Sequence, residues 1–329
     1  MKIYNLAARW SAFLAAFRIR YRGHAAKSAL HNYYKRFNRY SFIDGKCYDK
    51  VQLEASIARL YHTVEKGLSF HDYKPGFGKE NIKKLVLSME QYARSYDISS
   101  FVYCTSLSCL HEYIDKNRRH GIIDSELESK VLNLPGKRNS LGGVIEILPV
   151  TINDTKKMDY KTMITSRHSI RHFADQPVSI SLLKKAIFLA QYTPSACNRQ
   201  GWKTRIIQDK TIMESVMRNQ NGNRGFGHEF DKLLVVTADL RTEQREREVF
   251  QAFIDGGMYA EGVINALFYY GIGCVPLSAS LTDAQESQIR EILRLHDAEM
   301  LILFLGVGSY PQKTLTTRSE RRPVEVEVI

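Results

Sequence analysis

Several chemistries are poorly provided for in this chain. It has five cysteines, Cys47, Cys104, Cys109, Cys197 and Cys274, an odd number with no C-x-x-C pair and no matching histidine spacing. That pattern argues against a disulfide framework or a zinc site and suggests reduced thiols in a cytoplasmic protein. There is no G-x-G-x-x-G, no Walker A sequence and no H-E-x-x-H, and Gly271-Ile-Gly273 is too short for a dinucleotide fingerprint. His62 and Glu65 stand three apart on a predicted helix but lack the second pair or further ligands a metal would need, so no metal is expected. No apolar stretch approaches the roughly 20 residues of a spanning helix. The run Leu6 to Phe17 is interrupted by Arg9 and carries no convincing cleavage pattern for a secretory signal.

Acidic residues are missing altogether between Met1 and Phe42, where nine bases (Lys2, Arg9, Arg18, Arg20, Arg22, Lys27, Lys35, Arg36 and Arg39) supply most of the formal net charge of +12. No RNP, zinc-finger or helix-turn-helix pattern accompanies them, so nucleic acid is not expected and an acidic surface of another kind is. Leu6, Trp10, Phe13, Leu14, Phe17 and Tyr21 fall at helical spacing. Residues 1–43 are therefore read as a basic amphipathic arm, either lying at a membrane interface or on an acidic partner, or packed on the protein's own core.

With 44% hydrophobic residues over 329 positions, the remainder can bury a substantial core. Leu53, Ile57, Leu60, Tyr61 and Val64 recur at three or four, as do Ile82, Leu85, Val86, Met89 and Tyr92; with further helices near 101–115 and 124–132, residues 44–150 read as a helical region. Pro135-Gly136, Gly142-Gly143 and the polar run Asn153 to Asp159 end that pattern. Beyond it helices are predicted at 160–166, 181–191 and 248–270, and strands at 203–208, 233–238 and 300–306, forming a second unit over 160–329. The tail Val324 to Ile329 alternates like an exposed or partner-paired strand.

Two constellations carry chemistry. In Ser166-Arg-His-Ser-Ile-Arg171, Arg167, Ser169 and Arg171 could present a guanidinium fork, a hydroxyl and a second positive charge to one phosphate, although such a run can equally be a solvated helix face. Thr193-Pro-Ser-Ala-Cys-Asn-Arg-Gln-Gly-Trp202 follows a helix and precedes a strand. It suits a loop whose backbone and amides approach a flat polar ring, or an ordinary connection capped by Ser195 or Asn198.

Together, in this order, the two resemble the NAD(P)H nitroreductase family, whose domain opens with Arg-Arg/His-Ser-x-Arg/Lys followed by a Pro-Ser-x-x-Asn-x-Gln-x-Trp loop. The likeness runs on through Asp255 to Tyr270, Gly271-Ile-Gly-Cys-Val-Pro276, Leu303-Phe-Leu-Gly-Val-Gly308 and Arg321-Arg-Pro-Val324, covering roughly 163–329. It implies an α+β nitroreductase-like fold, a central mainly antiparallel sheet flanked by helices, with the helical region as an N-terminal extension. It further implies a cytoplasmic homodimer holding FMN at the subunit interface, NAD(P)H as donor and a small-molecule acceptor. By position, Arg167, His168, Ser169 and Arg171 would hold the ribityl phosphate and the pyrimidine edge. Pro194, Ser195 and Ala196 would approach the ring from the partner, with Asn198 and Gln200 in the same loop and Asn198 near the cofactor. Ser278 and Ala279 would line the ring near N5, and Arg321, or in competition Arg322, would reach the phosphate. The flavin then performs the redox chemistry and no catalytic acid or base is required. Two departures stand out: Ser278-Ala279 replaces the Glu-Gly pair of many members, and Gly201 follows Gln200 where proline is frequent. Two alternatives follow, a nicotinamide-independent flavin enzyme of the family, or a flavin-fold scaffold subunit of a membrane-associated assembly.

Overall fold

The computed structural model describes residues 47, 49–243 and 248–329, with a few isolated positions between 24 and 35. The amphipathic reading of residues 1–43 falls, apart from those positions, outside the described residues.

Of the elements whose ends are described, four helices come first: α1 (Lys50–Leu68), α2 (Lys79–Ser95), α3 (Phe101–Arg119) and α4 (Ser125–Leu132). Asp49, Ser100 and Asp124 cap α1, α3 and α4 by accepting from the backbone N–H groups of Gln52, Tyr103 and Leu127. Leu53, Ile57, Leu60, Val64 and Leu68 of α1 pack against Ile82, Leu85 and Met89 of α2 and Leu107, Leu110 and Ile114 of α3, one apolar stripe from each helix closing a core. The polar ends of the buried tyrosines are satisfied: the Tyr92 hydroxyl donates to Glu54 at 2.7 Å, and that of Tyr103 to the Pro135 carbonyl at 2.9 Å.

The rest of the chain runs β1 (Val144–Ile147), α5 (Ile152–Thr155), α6 (Tyr160–Ser166), α7 (Ile180–Ala190), β2 (Trp202–Ile207), α8 (Lys210–Asn219), β3 (Lys232–Asp239), α9 (Gln251–Tyr269), β4 (Ile272–Ser278), α10 (Asp283–Leu293), β5 (Glu299–Ser309) and β6 (Thr314–Thr317). β2, β3, β5 and β4 form, in that order, a wholly antiparallel sheet. β3 shows why helices must cover both faces. Its residues alternate, Leu234 and Val236 joining the core under α7 and α9, Leu233 and Val235 the core under α8 and α10. The α+β class and antiparallel sheet implied by the sequence are what the chain adopts.

Six elements were not anticipated: α5, α8, α10, β1, β4 and β6. β4 was hidden by Gly273 and Pro276; it is an edge strand, where a missing N–H is tolerated. β1 and β6 pair only with each other, Val144 opposite Thr317, so residues ahead of the expected boundary at 150 are stitched to the C-terminal segment. Gly143, at φ +97°, makes the turn into β1, and a side chain there would collide with the Glu112 carboxylate. The tail Val324–Ile329 is exposed and joins no strand among the described residues.

The helical region docks on the sheet domain through the segment that follows α1. The His71 N–H donates to His172 Nε2 at 3.2 Å, the two imidazoles stack at 3.9 Å, and Phe70 meets Phe226 at 6.1 Å. Because Nε2 accepts, the His172 proton sits on Nδ1, which faces Glu229 Oε1 at 2.7 Å. Burial, outweighing the pull of Glu229, holds the His172 imidazole below its ordinary value of 6.5. A lowered histidine pKa contributes stability that is full above pH 6.5 and is lost as pH falls from there toward the folded-state value. Thermal melting between pH 8 and 5 should show that decline in the wild type, and His172→Asn should flatten it; parallel curves would refute a neutral docking histidine.

Candidate functional site

Asp159 caps α6 by accepting from the Thr162 N–H, and the helix stops at Ser166 because Arg167 turns extended. The segment that follows is pinned beside the sheet: the Ile170 N–H donates to the Cys274 carbonyl at 2.8 Å, and the Thr316 hydroxyl to the Ser169 carbonyl at 2.6 Å. Arg167, His168 and Ser169 are thereby set along a cleft of about 630 Å³ whose other walls are Thr317 to Arg321 and the α9 residues Glu261 and Asn265.

Arg167 and Arg318, which line this cleft, each bury a guanidinium nitrogen, Nη1 and Nε respectively, that has no hydrogen-bond partner among the described residues. A buried charged donor is costly unless an acceptor meets it. Arg321 adds a third positive charge, its Nη1 donating to the Ser319 carbonyl at 2.6 Å, while Glu261 and Glu320 offset part of the total. Burial and the neighbouring guanidiniums of Arg167 and Arg321 hold His168 below the ordinary histidine range, so it offers a neutral imidazole. Behind it burial pushes the Cys274 thiol up to about 11, which leaves that cysteine inert. The arrangement suits a phosphate: two donors without acceptors, a hydroxyl, and an excess of positive charge.

Other residues singled out in the sequence lie elsewhere. Arg171, only 7% exposed, points away from the cleft toward the helical region, its Nη1 reaching the Thr317 hydroxyl at 3.4 Å and its Cζ lying 5.8 Å from the Phe226 ring centre. Arg322 does not line the cleft; it pairs with Glu54 of α1 at 3.6 Å, which answers its competition with Arg321 geometrically. Ser278 and Ala279 end β4, four residues past Cys274 and so roughly 13 Å along an extended strand. The Ser278 carbonyl there accepts from Gln220 at 2.9 Å, and Ala279 packs against the core under α8 and α10.

The loop holding Pro194, Ser195, Ala196, Asn198 and Gln200 forms a third group. Cys197, Asn198 and Gln200 all take left-handed backbone, unusual for residues with side chains and characteristic of ligand-clamping loops. It is held by Asp255, which accepts from the Ala196 N–H at 3.0 Å; by the Ser195 hydroxyl, which accepts from the Gln200 N–H at 3.0 Å; and by Arg199, paired with Glu243 and Glu248. Neither this loop nor the end of β4 contributes a lining residue to the cleft. Sequence reading overlooked Arg318, Thr317, Glu261 and Asn265. Glu261 and Asn265 stand four apart on the long helix, a spacing that placed them on one face; Arg318 carried no such signal.

An antiparallel sheet between helical layers, with an arginine-lined cleft beside it, makes up this α+β domain. The model of the nitroreductase family matches residues 164–219, which include the cleft segment and the loop. The chain is 25% identical over 203 residues to an NADH dehydrogenase of Thermus thermophilus, covering 52% of this chain and 96% of that one. It is 24% identical over 153 residues to an Archaeoglobus fulgidus protein provisionally named NADH dehydrogenase/NAD(P)H nitroreductase, covering 46% and 84%. Among solved structures it is similar to an FMN-dependent nitroreductase of Clostridium difficile, with 18% identity, a TM-score of 0.41, and 50% and 91% of the two chains covered. Residues 164–219 of this chain are thus similar to the nitroreductase family, and the relatives are proteins named for NADH or NAD(P)H oxidoreductase activity.

The cleft gives a test that needs no cofactor. Inorganic phosphate at 100 times its Kd should stabilise the wild type by about 2.7 kcal/mol through mass action. Arg318→Ala should lose most of that gain in a melting experiment; equal gains in both would remove Arg318 from the anion site.

Proposed function

We propose that the domain over 160–329 binds FMN with its phosphate in the Arg167–Arg318 cleft, and passes electrons from NAD(P)H to a small-molecule acceptor. The observation that carries this reading is the pair of buried guanidinium donors left without acceptors in a cleft built from the family's opening motif. Arg167, Arg318 and Arg321 would hold the phosphate, with Ser169 and His168 beside them. FMN, when bound, supplies the hydride-accepting and hydride-donating ring, so the protein's share is placement, charge and exclusion of water.

The working unit is a homodimer. That Pro194–Gln200 lines no part of the cleft favours completion by a second copy, and so does an apolar face that nothing among the described residues covers. Phe188 and Leu189 of α7, the nearby Tyr192, and Phe253, Ile254 and Met258 of α9 are all exposed, and α9 also lines the cleft through Glu261 and Asn265. Such a patch on a lone chain marks an interaction surface. The loop of the second copy, Pro194, Ser195, Ala196, Asn198 and Gln200, would then lie toward the ring. Among the described residues no helix is long and apolar enough to cross a membrane. We assign the protein to the cytoplasm, residues 44–150 to a helical accessory region and the basic arm over 1–43 to a peripheral membrane or acidic-partner contact.

Purified protein should be yellow, and NADPH or NADH should bleach it without oxygen; protein that stays colourless after incubation with FMN would end this reading. Arg167→Ala should cost a charge-assisted contact of about 1.5–3 kcal/mol, a loss of FMN affinity of roughly 10- to 150-fold in a fluorescence titration. Phe253→Asp should shift the mass measured by light scattering toward the monomer.

A further inference from the structure

A second cavity, of about 740 Å³, lies between α8 and the loop from Gln220 to His228 and shares no lining residue with the phosphate cleft. Small-molecule sites usually enclose roughly 300–1,000 Å³. Met213 and Met217, four apart on α8 and both buried, supply its apolar lining. The charged lining is Lys210, Arg218 and Arg224 with a single carboxylate, Glu214, three formal positive charges against one. Arg218 donates to the Ser215 hydroxyl at 2.9 Å, and Lys210 to the Phe230 and Asp231 carbonyls at 2.7 and 3.3 Å. Among the described residues the Arg224 guanidinium has no hydrogen-bond or ion-pair partner, and neither has the His228 ring in the same cavity.

An excess of cations beside a buried thioether surface selects a ligand with two unlike ends. Methionine packs well against flat rings, and a guanidinium without a partner takes phosphate oxygens two at a time. A lone phosphate would leave the methionines and most of the volume unused. A nucleotide has both parts.

The cavity also adjoins the end of β4. Gln220 and Asn221, both in its lining, donate through their side-chain amides to the Ser278 carbonyl at 2.9 Å and the Ser280 carbonyl at 3.0 Å. Ser278 would line the flavin ring near N5, so a dinucleotide with its nicotinamide at N5 has its adenosine end to place nearby.

We propose that this cavity receives the adenosine end of NADPH, and that Arg224, with Arg218, recognises its 2′-phosphate and makes NADPH rather than NADH the preferred donor. This rests on the flavin reading above and names the donor for it. An arginine beside the adenosine ribose is a general means of telling the phosphorylated dinucleotide from the unphosphorylated one. Glu214 opposes the same ligand charge.

The test uses the full-length, flavin-loaded protein, so that the phosphate cleft is filled. Adenosine 2′,5′-bisphosphate should bind more tightly than adenosine 5′-monophosphate in a calorimetric titration. Arg224→Ala should weaken the bisphosphate about tenfold and raise the KM for NADPH, relative to that for NADH, by the same factor. Glu214→Gln should act in the opposite direction and tighten the bisphosphate. Arg224 and Glu214 are both exposed, so neither substitution removes a core contact. Equal affinity for the two adenosine phosphates, or bisphosphate binding unaltered in Arg224→Ala, overturns the proposal. So does flavin bleached by NADH and NADPH with the same KM, an outcome that leaves the flavin reading standing. Protein that takes up no flavin ends that reading and the donor role together, and bisphosphate binding lost in Arg224→Ala would then still mark the cavity as a nucleotide site.

Discussion

A guanidinium taken out of water keeps its demand for acceptors, and much of this molecule is arranged around that demand. Arg167, Arg171 and Arg318 each bury a nitrogen that has no partner among the described residues. They are held there by ordinary backbone bonds, from Ile170 to Cys274 and from Arg318 to the Gly143 carbonyl, within a sheet and ribbon that could not move them into solvent without unpairing strands. Arg167 and Arg318 line an open cleft, whereas Arg171 lies in a crowded aromatic pocket. A protein selected for stability alone would pair or remove such groups. Their retention makes physical sense where a charged ligand completes them.

The helical region also bears on this. Its carboxylates, Glu65 and Glu112, point at the backbone around Gly143 and Val144, accepting from both N–H groups. Burial raises Glu112 above the usual carboxylate range, while Arg318 pulls it back. The turn that carries Arg318's anchor is thus shaped by residues more than 200 positions earlier. Docking of the two regions is polar at its centre, histidine on histidine and carboxylate on backbone, unlike the apolar interior of either one.

Elements with strong periodicity were legible in the sequence. The stripes Leu53 to Val64 and Ile82 to Tyr92, and the run Leu233 to Ala238, gave helices and a strand close to those observed, because one-faced or two-faced burial writes itself into spacing. β4 was obscured by its proline and glycine, α8 and α10 by largely polar exposed faces, and β1 and β6 by having four residues each. Within the candidate site, Arg167, His168, Ser169 and Arg321 were found from motif order, and the structure gathers them on one cleft. Arg318 went unnoticed since its role depends on the β6 register. Arg171 and Arg322 were placed by motif, and only tertiary packing turns one toward Lys66 and the other toward Glu54.

The pairing of Val144 with Thr317 also has a temporal side. During synthesis the four leading helices emerge first and can close their own core from local contacts, whereas β1 must wait for a strand made some 170 residues later. Until that strand arrives, Gly143 and its neighbours have carboxylates to bind but no ribbon to join. The cleft consequently cannot close until Thr317, Arg318 and Arg321 have been made, some 150 residues after Arg167 and Ser169. A product stalled before Thr317 would have the helices of the first region yet lack one wall of the cleft.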